Sequence, residues 1–169
     1  KFPENAELQK TCQSMLGNIV FKNKSIQNLV ANANGIELVI HNMKVYPTHK
    51  DVQRFGNWML GNISYDNIVI QNRIRELNGL QLVIDNMNRM RDNPDVQKNG
   101  NMMLGNMIDK NNKNKEIVKS LDGLNVVIEN MKRFSDNEAV QSTGVVMLQK
   151  FNNKRKNYMM ESNESDNEK

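Results

Sequence analysis

The stretch Asp51-Val-Gln-Arg-Phe-Gly-Asn-Trp-Met-Leu-Gly-Asn62 decides the fold, because weaker copies of it stand on both sides at one fixed distance. Upstream are Glu7-Leu-Gln9 and Met15-Leu16-Gly17-Asn18. Downstream are Asp95-Val-Gln97 and Met103-Leu104-Gly105-Asn106, then Val140-Gln141 and Met147-Leu148. The spacing is 44 residues throughout: Gln9, Gln53, Gln97 and Gln141 keep it, as do Leu16, Leu60, Leu104 and Leu148, and the glycines Gly35, Gly79 and Gly123. A period between about 20 and 50 residues marks a solenoid, whose units bury their apolar faces on one another rather than in a central core.

Outward from that stretch, each period resolves into three helices. Residues 24–33 carry Ile26, Leu29 and Val30 at helical spacing and break at Asn34-Gly35, where glycine is expected to take the left-handed turn. A second helix over 35–44 is apolar around most of its circumference, through Ile36, Leu38, Val39, Ile40 and Met43, which predicts burial between layers. Pro47 interrupts it, and Thr48 or His49 caps the third helix, the one that bears the opening stretch. The triplet returns over about 67–110 and 112–152, where Asn93-Pro94-Asp95 supplies an N-cap, a proline at the first helical position and an acid after it. One helix, residues 5–21 with Asn5 as cap, precedes the first triplet, which spans about 24–66. The ordered repeat region is therefore placed at 1–152, and the polar stretch 153–169 reads as a disordered tail.

Composition narrows the function classes. Formal net charge is +4, spread along the chain rather than gathered into a nucleic-acid arm. Cys12 is the single cysteine, so neither a disulfide framework nor a thiol-rich metal site is available, which suits a reducing compartment, cytoplasmic or nuclear. No apolar run reaches the roughly 18 to 20 residues that span a bilayer. His41 and His49 fall in different helices, and the chain lacks a nucleophile–base pair, a phosphate-binding glycine loop and metal-ligand spacing, so catalysis, metals and cofactors are not expected. Asparagine is abundant, and outside the repeat columns it is read as a bias of composition. The columns Gly56, Gly100 and Gly144, with Cys12 in register, are read as close-packing points, and the two methionine columns as core.

Three-helix units of a little over 40 residues, a glycine opening the second helix, and Val-Gln followed by small-x-x-x-Leu-x-Asn in the third together resemble the armadillo repeat. The resemblance covers residues 4–152 and implies an all-α, right-handed α-solenoid. It further implies that the third helices line a concave groove, where asparagines at Asn18, Asn62 and Asn106 grip the backbone of an extended peptide through amides that both donate and accept. Importin-α, an armadillo member, carries a tryptophan one turn before that asparagine, and Trp58-x-x-x-Asn62 matches the pair. The other units depart from it, with Ser14, Met102 and Val146 at the tryptophan position and Lys150 in place of the last asparagine.

One turn before Trp58 stands Arg54, whose equivalents are Lys10, Lys98 and Ser142. A groove with that lining opposes a basic nuclear signal and, like that of β-catenin, suits an acidic or neutral segment. The resulting expectation is a non-catalytic protein-interaction scaffold, with peptide-contacting residues Ser14, Lys10, Asn18, Arg54, Trp58, Asn62, Lys98, Met102 and Asn106. The alternatives are a karyopherin-like cargo adaptor, or a small-GTPase regulator or myosin chaperone of armadillo type. Partners are expected to be proteins rather than nucleic acid, since aromatic stacking platforms other than Trp58 are missing from the ladder. Self-association through uncapped ends is a further expectation.

Overall fold

The computed structural model describes residues 5–152, so the expected disordered tail lies outside the described residues. Among these residues there are ten α-helices and no strand. They are α1 Ala6–Val20, α2 Lys24–Asn32, α3 Gly35–Val45, α4 Lys50–Ile63, α5 Ile68–Glu76, α6 Gly79–Arg89, α7 Pro94–Ile108, α8 Asn112–Ser120, α9 Gly123–Arg133 and α10 Glu138–Asn152. The order is one leading helix and three triplets, matching the period. The third helices α1, α4, α7 and α10 pack side by side in a row; the second helices α3, α6 and α9 pack against the third helix of their own triplet, and the first helices α2 and α8 against the third helix before them. The result is a stack of helical repeats.

Local sequence chemistry sets the helix starts. Asn5, Asn23, Asn67, Asn93 and Asn111 each accept from the backbone N–H three residues on, which satisfies one of the four donors a helix start leaves unpaired. Of the two candidate caps before α4, His49 takes the role, with Nδ1 accepting from Val52 N–H. Asn111 starts α8 two residues earlier than periodicity alone places it.

The left-handed turn falls elsewhere than expected. Asn34, Asn78 and Asp122 hold positive φ near 58°, while none of the glycines does. Gly35, Gly79 and Gly123 are needed for space instead. A Cβ on Gly35 would come within 2.5 Å of Val30 Cγ1 and 2.8 Å of Val30 O, so glycine lets the second helix turn back tightly over the first.

The core is made of repeating columns. Met59, Met103 and Met147 are fully buried, as are Met43 and Met87. Met43, Met87 and Met131 lie against Gly56, Gly100 and Gly144, where an added Cβ would sit 2.5 Å from the facing sulfur in each case. Gly100→Ala should therefore lower stability by about 1–3 kcal/mol through overpacking, measured by urea unfolding. The double variant Gly100→Ala/Met87→Ala should lose the clash while keeping the cost of the vacated volume.

Polar ladders run between the units. Gln53 Nε2 donates to Met43 O (2.7 Å) and Tyr46 O (2.8 Å), closing the carbonyl end of its own second helix, while its Oε1 accepts from Asn86 of the next unit. Gln97 does the same with Met87 O, Met90 O and Asn130. Asn42 reaches back to Gln9 Oε1 at 2.6 Å. On the first helices, Gln27 and Gln71 donate to Asn62 O and Asn106 O, and accept from Asn67 and Asn111. These glutamines and most of their asparagine partners are buried, where an unpaired amide would be costly.

Candidate functional site

The row of third helices forms the surface on which the sequence placed its ligand contacts. Ser14 and Asn18 of α1, Arg54, Phe55 and Trp58 of α4, and Lys98 and Asn99 of α7 line one cleft of about 220 Å³. Five of the nine expected contact residues thus meet at one place. A second cleft of about 160 Å³ lies one unit on, where Met102 and Asn106 face Ser142, Val146 and Lys150. Lys10 lies on the same helix row but outside both linings.

Trp58 is held at the floor of the first cleft by absence of bulk beneath it. A Cβ on Gly17 would fall 2.3 Å from Trp58 Cδ1 and 2.5 Å from Nε1, so the indole lies against bare backbone of the preceding third helix. The side chain stays partly exposed. Met102 repeats the arrangement over Gly61, at 3.1 Å from its Cε. The contacts Gly17/Trp58 and Gly61/Met102 explain why a small residue precedes Asn18 and Asn62.

The asparagines are tied into the stack. Asn62 Nδ2 donates to Gly17 O and Asn106 Nδ2 to Gly61 O, each at 2.9 Å, and both residues are buried. Asn106 Oδ1 also accepts from Lys150 Nζ at 3.2 Å. Asn18 has no third helix ahead of it among the described residues and is exposed. Their donors therefore hold successive third helices in register, and Asn18 is the ladder residue that faces solvent.

Each basic residue of the expected lining has a carboxylate beside it. Lys10 Nζ pairs with Glu7 at 2.5 Å, Arg54 with Asp51 at 3.4 Å and Asp95 at 3.2 Å, Lys98 with Asp95 at 3.2 Å, and Lys150 with Asp109 at 3.4 Å. Burial pushes the Asp95 carboxyl up, but Lys98 and Arg54 outweigh this and hold it below the usual carboxylate range. A hydrogen bond from Lys10 lowers Glu7 likewise. The lining is cationic in composition but close to neutral in effect, because an acid three residues ahead of Lys10, Arg54 and Lys98 shares the helix face of each, and Asp109 of α7 pairs with Lys150.

A buried polar column was not singled out in the sequence. Gln13, Asn57 and Asn101 follow the 44-residue spacing and lie between successive third helices. Asn57 Nδ2 donates to Val96 O and Asn101 Nδ2 to Val140 O at 3.5 and 3.4 Å, while Oδ1 of each is without a protein partner. Asn101 lies beside the second cleft, with its Oδ1 buried from solvent. The period itself was the signal for this column.

Among the described residues no helix is long and apolar enough to cross a membrane. No curated protein sequence matches the chain. Two engineered proteins solved by the Northeast Structural Genomics Consortium share the fold, with TM-scores of 0.76 and 0.75 at 19% identity. Each alignment covers 88% of this chain but only 57% and 34% of the engineered chains, so this chain spans less than two thirds of either. The helical-repeat expectation is thereby met at the level of fold. Residues 58–156, more than half of the sequence and all of the second and third triplets, match the model of the spinocerebellar ataxia type 10 protein domain, and the chain belongs to that family.

Proposed function

We propose that this helical repeat is a non-catalytic interaction scaffold of armadillo type that takes an extended, neutral segment of a partner protein along its third helices. The observation that carries this reading is the convergence of Trp58 with Ser14, Asn18, Arg54 and Lys98 around one cleft. A partly exposed indole on a rigid floor supplies contact area at low entropic cost, and truncation of such a residue at an interface typically costs about 2 kcal/mol or more. Asn18, exposed on α1, offers its amide group to a peptide backbone.

The paired charges favour a neutral ligand over an acidic one. An acidic segment would have to displace Asp95 from Arg54 and Lys98, and a basic one would have to compete with both bases for Asp95. Selection from a phage-displayed library of peptides about twelve residues long tests the reading. Neutral sequences should be enriched, and binding should shift the fluorescence of Trp58, the only tryptophan. Enrichment of Lys/Arg-rich peptides, or no enrichment at all, would overturn it.

A further inference from the structure

Between α7 and α10 a cover that the chain supplies elsewhere is missing. A Cβ on Gly17 would meet Trp58 Cδ1 at 2.3 Å, and one on Gly61 would meet Met102 Cε at 3.1 Å, so in both units a large apolar side chain of the next third helix lies on bare backbone. At Gly105 the three nearest atoms are Cα, Cβ and Cγ of Met147, at 3.5, 3.6 and 3.8 Å, which is ordinary contact. The residue in register with Trp58 and Met102 is Val146, and none of those atoms belongs to it. It is 48% exposed. The gap is not an open end of the stack, because Gly105 lies on α7, Val146 on α10, and the two helices pack on each other. The helix is present and the covering side chain is short.

The uncovered place is the second cleft, of about 160 Å³, which Met102, Gly105, Val146, Met147 and Lys150 help to line. Two of its features choose among apolar occupants. A cavity of about 150 Å³ with apolar walls accepts a benzene ring, so this volume suits a phenyl group better than the larger indole that covers Gly17. Lys150 Nζ is held in place by Asn106 Oδ1 at 3.2 Å and Asp109 at 3.4 Å. A fixed ammonium attracts the face of an aromatic ring, which an aliphatic chain does not offer.

We infer that the cleft between Gly105 and Val146 is a specificity subsite for the phenyl ring of one phenylalanine in the bound segment, which supplies from the partner the cover that Trp58 and Met102 supply from within the chain. The inference takes its ligand from the groove reading above, but the cleft itself can be tested without a peptide. Packed helices stand about 8–10 Å apart. From the α1–α4 contact under Trp58 to the α7–α10 contact is two such steps, about 16–20 Å, which an extended chain crosses in about five or six residues. Segments selected on this chain should carry phenylalanine at that distance from the residue lying on Trp58.

The experiment uses the complete 169-residue chain with isotope-labelled methionine methyl groups, and N-acetyl-phenylalaninamide as the ring. The Met102 methyl should shift saturably in the NMR spectrum, with a dissociation constant of about 1–10 mM for so small a ligand. N-acetyl-leucinamide should bind at least about threefold more weakly. Val146→Trp rebuilds over Gly105 the cover that Gly17 has, and should weaken the ring at least about tenfold. Gly105→Ala, for which the Met147 contacts leave room, should fold as the parent does and weaken the ring about threefold, so it serves if the larger variant does not fold. No saturable shift in the parent, or unchanged affinity in either variant, would overturn the subsite. Because this readout needs no peptide, its failure leaves the groove reading to the phage selection, and failure of that selection leaves a ring-binding cleft standing.

Discussion

Gln97→Leu should lower stability by about 3 kcal/mol and the midpoint of thermal unfolding by roughly 10 °C. Gln97 is fully buried and serves three neighbours: Met87 O at 3.0 Å, Met90 O at 2.8 Å and Asn130 Nδ2. Met90 O keeps a second donor in Asn93 N–H. The Asn130 donor loses its acceptor, and Met87 O loses the donor that closes the end of α6. An orphaned buried polar group costs about 1–3 kcal/mol, and leucine adds no compensating area in a site already filled. The double variant Gln97→Leu/Asn130→Leu should be less destabilised than the sum of the single variants, because removing both partners leaves one orphan fewer. Simple additivity in urea unfolding would show that the two amides do not act as a pair.

The second large effect is on binding. Trp58→Ala should weaken a selected neutral peptide about 30-fold, read by anisotropy of a labelled peptide, since truncation of a central tryptophan costs about 2 kcal/mol. The indole rests on Gly17 and borders Ser14, Asn18, Arg54 and Lys98, so its removal opens the floor of the cleft without unpairing a charge. Arg89→Ala, whose partners are Pro47 O in the turn between α3 and α4 and Asn86 on α6, none of them lining the cleft, should leave affinity within about twofold. Equal affinity of the Trp58→Ala variant and the parent would move the interaction to another surface, as expected of a partner regulated through the outer helices.

The period made the architecture legible. Once Gln9, Gln53, Gln97 and Gln141 are seen to recur, the helix count, the caps at Asn5 and Asn93, and the close-packed glycine and buried methionine columns follow from spacing, while the contact of one column with the other does not. The convergence of Arg54 and Trp58 on one face followed in the same way. The left-handed turns did not, because asparagine and aspartate tolerate that conformation nearly as glycine does, and the neighbouring glycine drew the assignment. The neutral lining is not visible in the column of bases alone, because Glu7, Asp51 and Asp95 stand in a column of their own three residues ahead of it. The asparagine ladders were hidden by composition. In a chain so rich in this residue, Asn42, Asn86 and Asn130 are told from background only by their 44-residue spacing, and their bonding partners lie 33 residues away in another helix.

That offset has an evolutionary meaning. Because Asn86 meets Gln53 as Asn130 meets Gln97, the ladder contacts are made between interchangeable parts, and whole 44-residue blocks could be lost or duplicated with each surviving amide of the ladder finding an equivalent partner. An insertion or deletion of any other length inside a unit would throw four hydrogen-bonded ladders out of step together. The array is free to change its number of repeats and constrained in the length of each one.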